Sequence, residues 1–101
     1  MIMGHIRKLA EECLPLRLTV YCSTKEEAEQ FITEARADQF NGLNNDYRSY
    51  FSNELGTSYT LDLKSNMVIT YTHGTDYINQ HLDEYNLVSY KTLMNWDDYQ
   101  L

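Results

Sequence analysis

The sequence predicts an α+β domain: an N-terminal helix followed by a β-α-β-β-α-β split layout, in which an antiparallel sheet carries its helices on one face. Three observations lead there. Apolar residues recur along the chain first at helical spacing, then at strand spacing, and the two periods keep alternating. A helix-start signal follows the first alternating run, and a turn signal separates the next two. With 101 residues, 43% of them hydrophobic, the chain makes a single domain over 1–101 with one modest core.

The elements follow in order. Ile2, Ile6, Leu9 and Cys13 recur at steps of four, three and four, with Arg7, Lys8, Glu11 and Glu12 opposite. That pattern predicts an amphipathic helix over 1–14, which Pro15 ends because proline disfavours helical geometry in the residue before it. The stripe packs on its own domain or, alternatively, on a second copy. In LRLTVYC, 16–22, Leu16, Leu18, Val20 and Cys22 alternate with Arg17, Thr19 and Tyr21, which predicts a half-buried strand. Thr24 and Glu27 then match a capping box, and Ala28, Phe31, Ile32 and Ala35 form the apolar stripe of a helix over 24–37.

SYTLDL, 58–63, and MVITYT, 67–72, flank Lys64, Ser65 and Asn66 and predict a hairpin whose Ser58, Thr60 and Asp62 face water. Gly74 and Thr75 open DYINQHLDEY, where Ile78, Leu82 and Tyr85 share a helical face and Asn86 is a plausible cap. LVSYKTLM, 87–94, predicts a last strand, and 95–101 is a polar tail. Between the second helix and the hairpin, 38–57 is a long irregular insertion, longer than connections usually run, which points to function or to an unrecognised element.

Charge narrows the function. The net charge is −7, with residues 1–22 at +1 and residues 23–54 and 55–101 at −4 each. Such a field repels nucleic acid and anionic lipid and attracts basic protein surfaces. Cys13 and Cys22 occupy apolar positions without metal-ligand spacing, which predicts reduced core thiols in a cytoplasmic protein. Charges interrupt the N-terminal stretch too early for a signal peptide, and no apolar run reaches the roughly 20 residues of a membrane span.

No catalytic kit is legible. His73, Asp76 and His81 lack metal spacing, the carboxylate pairs Asp83–Glu84 and Asp97–Asp98 diverge on regular structure, and the four glycines form no phosphate cradle. The expectation is a non-enzyme without cofactor or metal. Nine tyrosines are many for this length. Several fall off the core stripes, namely Tyr21, Tyr47, Tyr50 and Tyr99, with Tyr71 and Tyr90 open to either reading. Tyrosine supplies contact area at low entropic cost and is enriched at binding surfaces. In NGLNNDYRSYFSN, 41–53, Tyr47, Tyr50 and Phe51 fall at steps of three and four, either sealing the core or touching a partner. The candidate partner-binding set is therefore Tyr47, Tyr50 and Phe51, with the acidic residues Glu26, Glu27, Glu34 and Asp46. Rows of carboxylates either serve solubility or imitate a phosphate backbone.

VYCSTKEEAEQF followed by SYTLDLKSNMVITYTHGTDYINQH, in an acidic Tyr- and Asn-rich chain of this size, resembles small accessory proteins of phages and prophages. That group includes anti-CRISPR and anti-restriction inhibitors. The resemblance covers 16–94 in layout and composition and carries over no functional residue. It implies an inhibitor that binds a basic surface of a host defence nuclease or nucleoprotein in the host cytoplasm, as monomer or homodimer, with no direct nucleic acid or membrane contact. The alternative is a small ligand-sensing or regulatory module, dimeric through the sheet or the first helix.

Overall fold

The computed structural model describes residues 5–41, 55–72 and 74–95. Helix α1 (His5–Glu12) leads into strand β1 (Arg17–Cys22), helix α2 (Lys25–Ala37), strands β2 (Thr57–Asp62) and β3 (Met67–Tyr71), the single turn α3 (Asp76–Asn79), strand β4 (Tyr85–Ser89) and helix α4 (Tyr90–Asn95). The class is α+β, built on one four-stranded sheet in the order β3-β2-β1-β4.

The core forms where the stripes meet one face of that sheet. Ile6, Leu9 and Cys13 of the first helical stripe, the four α2 residues Ala28, Phe31, Ile32 and Ala35, and Leu18, Val20, Tyr59 and Leu61 of the strands are all buried together. Phe31 lies 5.7 Å from Tyr59 at a tilt of 31°. Ahead of α2, the Glu27 N–H donates to Thr24 Oγ1 at 3.2 Å, while the Glu27 carboxylate accepts from the Ser23 N–H at 3.0 Å. The capping box is thus reciprocal, displaced by one residue on its return arm.

Arg7 ties α1 to two other elements. Its Nη2 and Nε donate to the Asp38 carbonyl at 2.8 and 3.1 Å, Nη1 reaches Asn66 Oδ1 at 2.8 Å, and the guanidinium lies 4.3 Å from the Phe40 ring centroid. The insertion predicted as irregular is ordered at its start. Phe40 is buried, and Asn41 bridges the hairpin by accepting from the Val68 N–H at 2.7 Å and donating to the Asn66 carbonyl at 2.8 Å.

Two expectations about the sheet are corrected. It is mixed rather than antiparallel, because β4 runs parallel to β1. Since β1–β2 and β2–β3 are both antiparallel, β3 also runs with β1, and the chain must cross two strands to reach β4. A parallel return needs a dozen or more residues. Residues 72–84 supply it, so α3 lies over the second sheet face and the helices are not confined to one side. The same crossover removes the predicted wet face: Thr19, Ser58 and Thr60 are each 0% exposed. Their hydroxyls are satisfied internally, Thr19 and Thr60 lying 2.8 Å apart and Ser58 donating to the Gly74 carbonyl at 2.6 Å.

The third helix and last strand are also revised. Helix α3 stops after one turn and the chain continues through tight turns, with the His81 N–H on the Ile78 carbonyl at 2.9 Å and the Glu84 N–H on the His81 carbonyl at 2.9 Å. Tyr85, expected on that helix, begins β4 opposite Arg17. The run 87–94 is not one strand. Ser89 Oγ accepts from the Thr92 N–H at 3.1 Å, a side-chain cap that starts α4 and turns Tyr90 and Leu93 into the core.

Gly56 fixes the entry to β2. Its φ is +74°, and a Cβ there would lie 2.5 Å from the Tyr21 hydroxyl oxygen. That hydroxyl donates to the Leu55 carbonyl at 2.9 Å. Gly56→Ala is expected to lower stability by about 1–3 kcal/mol, through a left-handed backbone and a displaced ring. Chemical denaturation of the variant checks this.

Candidate functional site: an aromatic platform with an acidic border

The second sheet face carries a cluster of rings that the crossover assembles. Register places Tyr71, at the end of β3, and Tyr85, at the start of β4, on the same face as Thr19 and Thr60. Helix α3 then lays Tyr77 against both. Tyr71 and Tyr77 stack with centroids 5.0 Å apart and planes within 9°. His81, one helical step beyond Tyr77, continues the column at 4.3 Å and 22°. Tyr85 meets Tyr71 and Tyr77 edge-on, each at 6.2 Å. Such offset and edge contacts suit the ring quadrupoles and hold the rings in place.

Each ring is fixed from behind. The Tyr71 and Tyr85 hydroxyls lie 3.2 Å apart, and His81 Nδ1 is 2.9 Å from the Tyr77 carbonyl oxygen. Ile78 and Tyr85 are buried beneath, whereas Tyr77 is 44% exposed and the neighbouring Leu82 53%. Burial, followed by the hydrogen bond to Tyr71, pushes the Tyr85 phenol above its usual range, and repulsion from Tyr85 as it ionises does the same for Tyr77.

Charge surrounds the platform unevenly. Arg17 reaches toward it, 6.0 Å from the Tyr85 centroid. Asp76 precedes Tyr77, and Asp83 and Glu84 follow His81, all three exposed. Negative ring faces beside carboxylates form a surface that attracts guanidinium and ammonium groups.

Of the acidic residues read from the sequence, Glu26, Glu27 and Glu34 lie on α2, which packs on the first sheet face, and not in this cluster. Glu26 is exposed on the first turn of α2, while the Glu27 carboxylate is engaged at Ser23. Glu34 is half-buried, its Oε2 has no hydrogen-bond partner among the described residues, and burial pushes its carboxyl upward. Asp46, Tyr47, Tyr50 and Phe51 lie outside the described residues. Of the tyrosines left open, Tyr71 joins the platform and Tyr90 turns inward. Sequence reasoning missed Tyr77 and His81, although their four-residue spacing on a helix start was a usable signal.

Tyr90 gives a pH test of the α2–α4 contact. Its hydroxyl donates to Gln30 Oε1 at 2.9 Å, and burial, reinforced by the Glu34, Cys22 and Glu27 charges, pushes the phenol up to about 12. An unfolded tyrosine titrates near about 10. The folded state therefore holds this proton longer, so the stabilisation is present below about pH 10 and is lost as pH rises toward 12. Thermal melts across that window should fall more steeply for the natural protein than for Tyr90→Phe.

Among the described residues, no three His, Cys, Asp or Glu side chains converge as a metal would require. Among the same residues, no helix is long and apolar enough to cross a membrane. Comparison with known proteins returns no match: no family model, no curated protein and no solved structure.

Proposed function

We propose that this protein is a binding protein of the phage-inhibitor kind, anti-CRISPR foremost, that docks on a basic surface of a host defence nuclease or nucleoprotein. It blocks nucleic-acid access inside the host cell without making or breaking bonds. The observation that carries this reading is the half-exposed Tyr71–Tyr77–His81 column bordered by Asp76, Asp83 and Glu84, in a chain of net charge −7. Carboxylates steer the encounter with a positive surface, and aromatic rings supply the anchoring contact. Mimicry of a phosphate backbone is one route to the block, with Glu26 and the α3–β4 acids as separate negative patches.

Affinity capture from host lysate on the immobilised protein tests the reading across a salt series. The expected capture is a nucleic-acid-processing protein at about 0.15 M salt, fading on the order of 0.5 M as the Debye length falls below about 5 Å. Capture that ignores salt, or that yields only acidic proteins, contradicts it.

A further inference from the structure

The sheet leaves one edge open. In the order β3-β2-β1-β4, the outer side of β3 is closed at its start by Asn41, which bonds Asn66 and Val68. Strand β4, at the other edge, has β1 as its single strand partner among the described residues. The phase of that ladder decides which groups stay free. The Arg17 N–H donates to the Glu84 carbonyl at 3.0 Å, and in a parallel pair alternate residues turn their backbone to the neighbour. Glu84, Asn86 and Val88 therefore face β1, while Leu87 turns its N–H and C=O outward and Ser89 its N–H. Tyr85 shares the outward phase but is buried, so the accessible edge runs from Leu87 to Ser89.

Sheet edges are normally blunted by lysine, proline, a bulge or a covering element. YNLVS, 85–89, carries no charge and no proline, and its register with β1 is unbroken. What flanks the edge selects its partner. Asp83 and Glu84 precede the strand and Lys91 follows it, all three exposed. Among the described residues, none of these side chains forms a hydrogen bond or an ion pair. One end of the edge is thus negative and the other positive. Two such edges laid antiparallel about a two-fold axis near Leu87 bring the acids of each copy toward Lys91 of the other. Laid parallel, they would set like charge against like.

We propose that the β4 edge binds a second copy of this chain, antiparallel, joining the two sheets into one through backbone hydrogen bonds around Leu87. The contact is short and each chain carries a net charge of −7, so the dimer is weak and concentration-dependent. It does not rest on the function proposed above.

Sedimentation of the full chain from about 10 µM to about 1 mM, paired with hydrogen exchange, tests it. At about 0.15 M salt the Debye length of about 8 Å screens the net charges and leaves adjacent pairs to act. The mass is expected to rise from one chain toward two, and the Leu87 amide to gain protection over the same range. K91E sets like charges at both ends of the contact and should weaken association about tenfold, as the loss of two exposed pairs and the gain of repulsion imply. K25E, the same change in net charge placed on α2, should associate like the natural protein. An equimolar mixture of K91E with the double variant D83K/E84K should associate more tightly than either alone, since each meets opposite charge only in the other. All these positions are exposed, and melting curves verify that the variants fold. A monomer throughout the range overturns the proposal. So does a dimer that K91E and K25E affect equally, or one in which the Leu87 amide gains no protection.

Discussion

Phe31→Ala is expected to lower the free energy of unfolding by about 3–5 kcal/mol, the usual range for emptying a fully buried aromatic site. Phe31 is 0% exposed and packs on Tyr59, which is itself 0% exposed at the middle of β2. Its loss would remove the contact through which α2 is held on the sheet. A domain of this size has a total stability of about 5–15 kcal/mol, so the variant sits near the edge of folding. Urea unfolding followed by circular dichroism should show a large drop in midpoint with little change in slope. A loss under about 1 kcal/mol would mean that α2 does not pack as described.

Tyr77→Ala is expected to have the opposite profile. The side chain is 44% exposed, so its removal should change stability by less than about 1 kcal/mol. Partner affinity should nevertheless fall about 30-fold, the effect of losing a ring worth about 2 kcal/mol at the centre of an interface. Tyr77→Phe keeps the stacked face against Tyr71 and His81 and should retain most of the affinity. Titration calorimetry with the captured partner separates the two variants. Equal affinities for natural protein and Tyr77→Ala would remove the platform from the interface.

Local rules carried most of the fold. The α2 stripe of Ala28, Phe31, Ile32 and Ala35, its Thr24–Glu27 cap and the alternation of β1 all follow from spacing, because each depends on neighbours a few residues away. The failures came where a distant partner decides. Thr60 looks like a water-facing residue by alternation, yet it is sealed by a crossover that starts a dozen residues later. Tyr85 continues a helical stripe with Ile78, but backbone pairing with β1 claims it for a strand. Ser89 was readable as a cap and was hidden by the β-branched and apolar residues around it.

The candidate site was less legible still. An acidic, tyrosine-rich surface was expected from composition, but its assembly from Tyr71, Tyr77, His81 and Tyr85 joins two outer strands and the connection between them. Those residues meet only because β3 and β4 are parallel and the chain must return over the second face. Glu27 and Glu34 carry charge in the sequence like Glu26 does, yet one closes a helix cap and the other is half-buried.

On the proposed function, an acidic, ring-bearing face occupies a positive surface which would otherwise hold nucleic acid. Fluorescence polarisation of a labelled nucleic acid bound to the captured partner tests it most directly. Adding the natural protein should release the label, while the Tyr71→Ala/Tyr77→Ala variant, shown folded by its melting curve, should need at least about tenfold more protein for the same release. Undiminished polarisation at saturating protein, or equal release by the variant, would contradict it.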